Sequence, residues 1–377
     1  MALTEQNSKN LSGMNTFRMN VSCKKFIDYD SISDLMDLDP EELPHPIKQI
    51  GGGSNLLFTG DFKGTILHSS VDFIEELEDE EDDDNVYVSV GSGVVFDDLC
   101  AWAADNGLWG IENLSNIPGE VGAAAVQNIG AYGVEFKDVV DEVFCYDMNE
   151  CEELSFTTEE CGYGYRSSIF KTPEYRNLIV THVIVRLSKN PIPSLDYGHL
   201  RDAVEQELGV EPGQAETRLA EDDNMSGVGL SSGLRELDPE LIRKVIIDIR
   251  SEKLPDPKFI GSAGSFFKNP IVSREEFARI EAVAHKDNGP DCRVPHYDVK
   301  AEDGSDMVKV PAAWMIEQCG WKGRRFGNAG VYENQPLVLI NATGRAEPEE
   351  IIALEGRVIS SVKAKYGVTL SPEVEHV

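Results

Sequence analysis

Ser265 stands in the run Gly261-Ser262-Ala263-Gly264-Ser265-Phe266-Phe267-Lys268-Asn269-Pro270, with small residues before it and two phenylalanines after it. That setting suits a reactive hydroxyl held beside an apolar wall. It equally suits a serine in a turn before a buried strand, because Gly, Ser, Asn and Pro cluster in turns. Glycine offers a second chemistry. Gly51-Gly52-Gly53-Ser54-Asn55 can cradle a diphosphate with successive backbone N–H groups. It lacks the helix that a dinucleotide fingerprint puts directly after its glycines, since Leu56-Leu57-Phe58 and Thr59-Gly60-Asp61 follow, and a hairpin turn fits it as well. Residues 110–133 hold five glycines and four alanines. Such density lets backbone approach a large planar or polyphosphate ligand, or lets a helix pack tightly on a sheet.

These residues need elements to hold them. Residues 47–70 read as strand, glycine loop, short strand, turn and strand, and 86–90 alternates as a strand should. Residues 95–104 have helical spacing that stops at Asn106-Gly107. Residues 178–187 are rich in β-branched side chains, the mark of a buried strand. Asp238-Pro239-Glu240 supplies a cap and a first-turn proline ahead of the stripe Leu241, Ile242, Val245, Ile246 and Ile249. A last helix is predicted on Ile351, Leu354, Val358 and Val362, with Gly367 as its stop. Strands and helices without regular βαβ alternation predict α+β layers. Residues 203–237 are polar and aperiodic, which predicts a flexible insertion.

At 377 residues two or three domains are expected. The net charge of −33 argues against nucleic acid or an anionic membrane as partner, because both require a basic face. Much of the acidic excess sits in residues 75–84, EELEDEEDDD, which predicts a solvated loop. The seven cysteines are scattered without a C-x-x-C pair, so neither a disulfide framework nor a metal site is suggested. No signal peptide or membrane-length apolar run is visible, and the cytoplasm is the expected compartment.

Eight motifs in one order resemble the UDP-N-acetylenolpyruvoylglucosamine reductase (MurB) family, type I. They are NTF (15–17), GGGSNLL (51–57), IPGEVGAAAVQNIGAYG (117–133), GYRSSIFK (164–171), KLPDP (253–257), GSAGSFFKNP (261–270), AAWMIEQCGWKG (312–323) and SPEV (371–374). The resemblance implies an FAD-binding half of the vanillyl-alcohol-oxidase type, built from two subdomains, and a C-terminal α+β substrate domain. Expected boundaries are 14–190 for the FAD-binding half, 191–254 for a connecting region and 255–367 for the substrate domain, with 368–377 returning to the FAD-binding half. The implied reaction is NADPH-dependent reduction of UDP-N-acetylglucosamine enolpyruvate through bound FAD, in a protein expected to be a monomer.

The resemblance also implies residue roles. FAD would lie along Gly51, Gly52, Gly53, Ser54 and Asn55, and along Pro118, Gly119, Gly122, Asn128, Gly130, Ala131 and Gly133. Ser265 would give a proton to the second carbon after hydride transfer, a role for which a neutral hydroxyl needs a closed site. Arg166 would hold the substrate carboxylate, since its fork binds carboxylates bidentately and stays charged. Glu373 would sit with it. Substrate contacts would come from Tyr132, Tyr165, Tyr197, Lys253, Asn269 and Gln335. The stretch from Arg250 through Lys253 and Lys258 to Lys268 is locally basic, as an anionic substrate requires.

Three positions depart from the family pattern. Arg18 follows NTF where glycine is common, Ser167 follows the GYR arginine where Asp is usual, and Glu375 stands where some members have arginine. A different flavin oxidase or dehydrogenase, acting on a sugar lactone or alcohol, would leave Ser265 and Glu373 unexplained. An inactive binding protein would not need Arg166, Ser265 and Glu373 together.

Overall fold

The computed structural model describes residues 3–78, 82–219, 236–301 and 304–377. Contacts divide the chain into two compact units, the first made of Met1–Lys9, Cys23–Gly52 and Lys63–Arg250, the second of Asn10–Ser22, Gly53–Phe62 and Ser251–Val377.

The first unit carries two sheets. Four strands run in the order Thr4–Asn7, Cys23–Tyr29, Phe62–Ser69, Ile47–Ile50. Five run in the order Glu152–Thr157, Val140–Asp147, Leu178–Ser188, Asn85–Gly91, Ile74–Leu77, all antiparallel. The alternation of residues 86–90 is what the sheet uses: Val86, Val88 and Val90 are buried with the helix Phe96–Asp105 and with Val180, Val183 and Val185 in one core. A second cluster joins Trp109, Leu195 and the stripe Leu241, Ile242, Val245, Ile246 of the helix Pro239–Lys253. Asp238 caps that helix by accepting from the N–H of Leu241, as the sequence predicted.

In the second unit, Gly261–Ser262, Leu339–Asn341, Ala329–Val331 and Arg325–Phe326 form one antiparallel sheet. Ile271–Ser273, Asp306–Lys309 and Tyr297–Lys300 form another. The helix Pro348–Tyr366 buries Ile351, Leu354, Val358 and Val362 and ends on Gly367 in the left-handed conformation. These layers match the predicted α+β class.

Residues 191–250 pack with the first unit, their apolar stripe sharing a core with Trp109. Residues 10–22 and 53–62 belong to the second unit, and residues 375–376 pair with Leu56–Leu57 there. The acidic block is not all loop: Glu75, Glu76 and Leu77 lie in the strand Ile74–Leu77 at the edge of the five-stranded sheet. Exposed carboxylates on an edge discourage pairing with another chain. Residues 79–81 of the block lie outside the described residues.

The polar insertion begins with order. Leu200–Leu208 is a helix whose Leu200, Val204 and Leu208 are buried at spacings of four, and Gly209 ends it at φ 68°. A stripe one residue wide is easily lost among polar neighbours. Glu205, also buried, accepts N–H bonds from Gly213 and Gln214 at 2.7 and 3.1 Å, so part of the acidity serves internal turns. Residues 220–235 of the insertion lie outside the described residues.

Candidate functional site

In the first unit two tight turns converge on one arginine. Gly130–Ala131 pairs with Val134–Glu135, leaving Tyr132 (φ 47°) and Gly133 (φ 87°) at the tip, the left-handed pair that a two-residue hairpin demands. Gly164 and Ser167 exchange backbone hydrogen bonds of 3.0 and 3.1 Å around Tyr165 and Arg166. Arg166 has φ 55°, a conformation that costs a residue with a side chain and that persists where its surroundings impose it. Its Nη1 donates to Asn128 O at 3.2 Å and its Nη2 to Gly130 O. A Cβ on Gly130 would stand 2.7 Å from Nη1 and 2.9 Å from Val134 O, so a side chain there would crowd both the guanidinium and the hairpin backbone.

Asn128 ties the turns together. It ends the helix Val121–Gln127 in the left-handed conformation and is fully buried. Its Nδ2 donates to Gly164 O (3.0 Å) and Glu135 Oε2 (3.1 Å), and its Oδ1 accepts from Lys137 N (3.0 Å). Both ends of the amide therefore hold protein groups. Arg166 is aimed by the carbonyls of residues 128 and 130, and the backbone of Ser167 closes the turn.

Tyr132 meets Tyr197 edge to face, with ring centroids 6.2 Å apart. Buried Asn113 donates to Tyr132 O and Ser194 O and so joins the two segments. Arg250, half-buried at the end of its helix, donates from Nε to Asn116 O at 3.1 Å. Burial pushes its guanidinium pKa down; Tyr132 and Asp97 oppose this, and the like charge of Arg166 adds to it. Two guanidiniums within electrostatic reach of each other suit an anionic ligand. Arg250 was visible in the sequence only as the first cation of a basic stretch.

The glycines that the resemblance gives to the cofactor also meet here. A Cβ on Gly52 would lie 4.0 Å from Gly119 Cα, and one on Gly51 would lie 3.0 Å from Glu120 Oε2 and 3.2 Å from Ala123 Cβ. The two glycine segments thus form one floor, with the Glu120 and Ala123 side chains against Gly51, and a Cβ on Gly122 would fall 2.7 Å from Ser92 Cβ. Such a floor fits a dinucleotide diphosphate. Glu120 is an anion beside it, and His68 offsets that charge by bridging Glu120 Oε1 (3.2 Å) and Asp28 Oδ1 (3.0 Å). Burial lowers the His68 pKa, but the bonds and charge of Glu120 and then Asp28 outweigh it, and the net shift is upward from 6.5. A raised pKa stabilises the fold fully below about pH 6.5 and loses that contribution as pH rises through the folded value. We expect His68→Gln to cost about 2 kcal/mol at pH 5.5 and clearly less at pH 9, measured by urea unfolding; equal losses at both would exclude a charged bridge.

In the second unit four of the motifs come together. Thr16 N donates to Gly53 O (3.1 Å) and Ser262 N to Thr16 O (3.0 Å). Asn55 Nδ2 donates to Glu373 O (3.3 Å), and Glu375 N to Asn55 O (3.0 Å). Glu373 N donates to Phe266 O (2.8 Å) and Lys268 N to Ser371 O (3.0 Å), so residues 266–268 and 371–373 run side by side. Ser265 and Glu373 are both half-buried, and Ser265 follows Gly264 at φ 64°. Among the described residues no group hydrogen-bonds the Ser265 hydroxyl.

Gly53 marks how close these strands lie. A Cβ there would fall 2.1 Å from Met14 O, and φ is +64°. Gly53→Ala should cost at least about 3 kcal/mol, read as a large fall in the urea midpoint; a loss under about 1 kcal/mol would mean the loop relaxes freely. Arg18 takes φ 60°, the conformation a glycine would take there, and its Nη1 donates to Lys258 O at 2.9 Å. The departure after NTF is accommodated. Glu375 takes its place in the pairing with Leu56, its N–H donating to Asn55 O.

The remaining predicted contacts are spread through this unit. Asn269 Oδ1 accepts from Ala312 N (2.9 Å), which starts the helix Ala312–Gln318 and leaves its amide nitrogen as a donor. Gln335 O accepts from Val338 N in a turn. Lys253 is exposed at the end of its helix.

The family described as UDP-N-acetylenolpyruvoylglucosamine reductase, C-terminal domain, matches residues 256–377, and the FAD binding domain family matches residues 31–150. UDP-N-acetylenolpyruvoylglucosamine reductase of Bacteroides fragilis is 44% identical over 364 residues, 96% of this chain and 97% of its own. That of Porphyromonas gingivalis is 42% identical over 371 residues, 97% of each chain. The crystal structure of the Thermus caldophilus enzyme, MurB, shares the fold with a TM-score of 0.61 at 20% identity, covering 100% of this chain and 99% of its own. With identity of this degree over nearly the whole length, the chain belongs to the UDP-N-acetylenolpyruvoylglucosamine reductase family.

Proposed function

We propose that this protein reduces UDP-N-acetylglucosamine enolpyruvate to UDP-N-acetylmuramate, using NADPH and bound FAD, in peptidoglycan precursor synthesis. The strongest support is the pairing of residues 266–268 with 371–373, which sets the backbone of Glu373 on Phe266, beside Ser265.

FAD, when bound, supplies the hydride that it has taken from NADPH. The vinyl double bond gains that hydride at its methylene carbon and a proton at the other carbon, and both additions are needed to balance the reduction. Charge collects on the substrate carboxylate between these events, and Arg166 is the group we assign to hold it. Its aim is fixed in advance by the carbonyls of Asn128 and Gly130. Ser265 Oγ gives the proton to the second carbon, and Glu373 keeps company with the carboxylate. Lys253 and Asn269 bind the nucleotide diphosphate and sugar, and Tyr132, Tyr165, Tyr197 and Gln335 line the substrate. Gly51 through Asn55, with Pro118, Gly119, Gly122, Gly130, Ala131 and Gly133, take the cofactor. A cytoplasmic monomer is part of the same proposal.

Anaerobic stopped-flow on the purified protein tests it. NADPH should bleach the flavin, and UDP-N-acetylglucosamine enolpyruvate should return the colour rapidly. Flavin that stays reduced in the presence of the enolpyruvyl sugar would refute the substrate, and a protein that binds no flavin would refute the whole assignment.

A further inference from the structure

Glu355 is a buried carboxylate of the helix Pro348–Tyr366 to which the proposed reduction gives no task. Its side chain is only 9% exposed, and His376 is the one side chain of the described residues set against its Oε2. His376 Nε2 stands 3.1 Å from that oxygen, within ion-pair distance. Burial raises the Glu355 pKa, and the nearby His376 works against the rise. His376 belongs to the two-residue strand Glu375–His376, and its ring lies 6.2 Å from that of Phe266. Three residues before it, Glu373 is bonded through N–H to Phe266 and through C=O to Asn55.

We propose that Glu355 and His376 form a latch that holds the closing segment, making both of them positioning residues for Glu373. The closing strand is already held to the Asn55–Thr59 stretch by backbone bonds, Val377 N to Leu57 O at 2.9 Å and Thr59 N to Val377 O at 2.8 Å, but at two residues it is short, and short terminal strands open readily. A buried carboxyl is unfavourable without a polar partner, so the burial of Glu355 favours the state in which the His376 ring is docked beside it. The segment is then fastened on both sides of Glu373, by the Lys268 N–H on Ser371 O before it and at the helix after it. This inference rests on the assignment of Glu373 to the substrate carboxylate.

Hydrogen exchange on the flavin-loaded protein, read together with the two half-reactions, tests the latch. In His376→Ala the amides of Glu373, Glu375 and Val377 should exchange at least about tenfold faster. Flavin reduction by NADPH should not change, while reoxidation by the enolpyruvyl sugar should slow about tenfold. Glu355→Gln should do the same, and the double variant should be no worse than either single, as expected of partners. His376→Gln, closer in size, guards against a variant that fails to fold. Unchanged exchange overturns the latch, faster exchange with unaltered reoxidation overturns the positioning role, and additive single effects overturn the pairing. A parent protein that the enolpyruvyl sugar does not reoxidise would instead refute the function, and the exchange rates would still decide the latch.

Discussion

Ser265→Ala should leave flavin reduction by NADPH within about twofold of the parent and slow reoxidation by the enolpyruvyl sugar by about 10²- to 10⁴-fold, the range for loss of a general acid. The asymmetry follows from the chemistry, since only the second half-reaction needs a proton delivered to carbon. The structure offers no protein partner for the Ser265 hydroxyl among the described residues, so its removal leaves no buried donor or acceptor orphaned. Stability should therefore be nearly unchanged, and a loss of activity can be attributed to chemistry. Single-turnover absorbance traces provide the test. Equal slowing of both halves would remove Ser265 from the proton step.

Arg166→Lys should be the second large effect. Lysine keeps the charge but lacks the planar fork, and it cannot reach two carbonyls and a carboxylate in one plane. Reoxidation should fall by about 10²- to 10³-fold, with flavin content intact. Asn128→Ala is the companion measurement. It withdraws the donor from Gly164 O and Glu135 while leaving the cofactor floor of Gly51, Gly52 and Gly119 untouched. If Asn128 acts through Arg166, reoxidation drops and flavin stays bound. If flavin is lost first while reoxidation of the remainder is normal, Asn128 is a cofactor contact, as the resemblance implied.

Much of the fold was legible because its signals are local. The caps at Asp238 and Gly367 and the β-branched run of residues 178–187 all name elements that the structure contains. What escaped depends on contacts between distant segments. Nothing near Asn128 in the sequence says that its amide reaches residue 164, and only the resemblance gave it a role, toward the cofactor. Glu205 and the helix Leu200–Leu208 were hidden by composition, since a buried carboxylate and three aliphatic residues look like solvent-facing chain until their partners are known. Arg18 was a departure only in type, because the left-handed conformation is open to arginine at a modest cost.

Asn55 and Glu373 are bonded across a separation of 318 residues. On the ribosome, the loop that holds Asn55 emerges early and must wait for almost the entire chain before its partner strand exists. The second unit is woven from three separate stretches, so it cannot assemble as a late, self-contained domain, and the nascent protein passes most of its synthesis with an unpaired edge at Leu56–Leu57. Nascent chains arrested short of residue 371 should therefore expose that edge to chaperones, and acquisition of the catalytic arrangement should be among the last events of biogenesis.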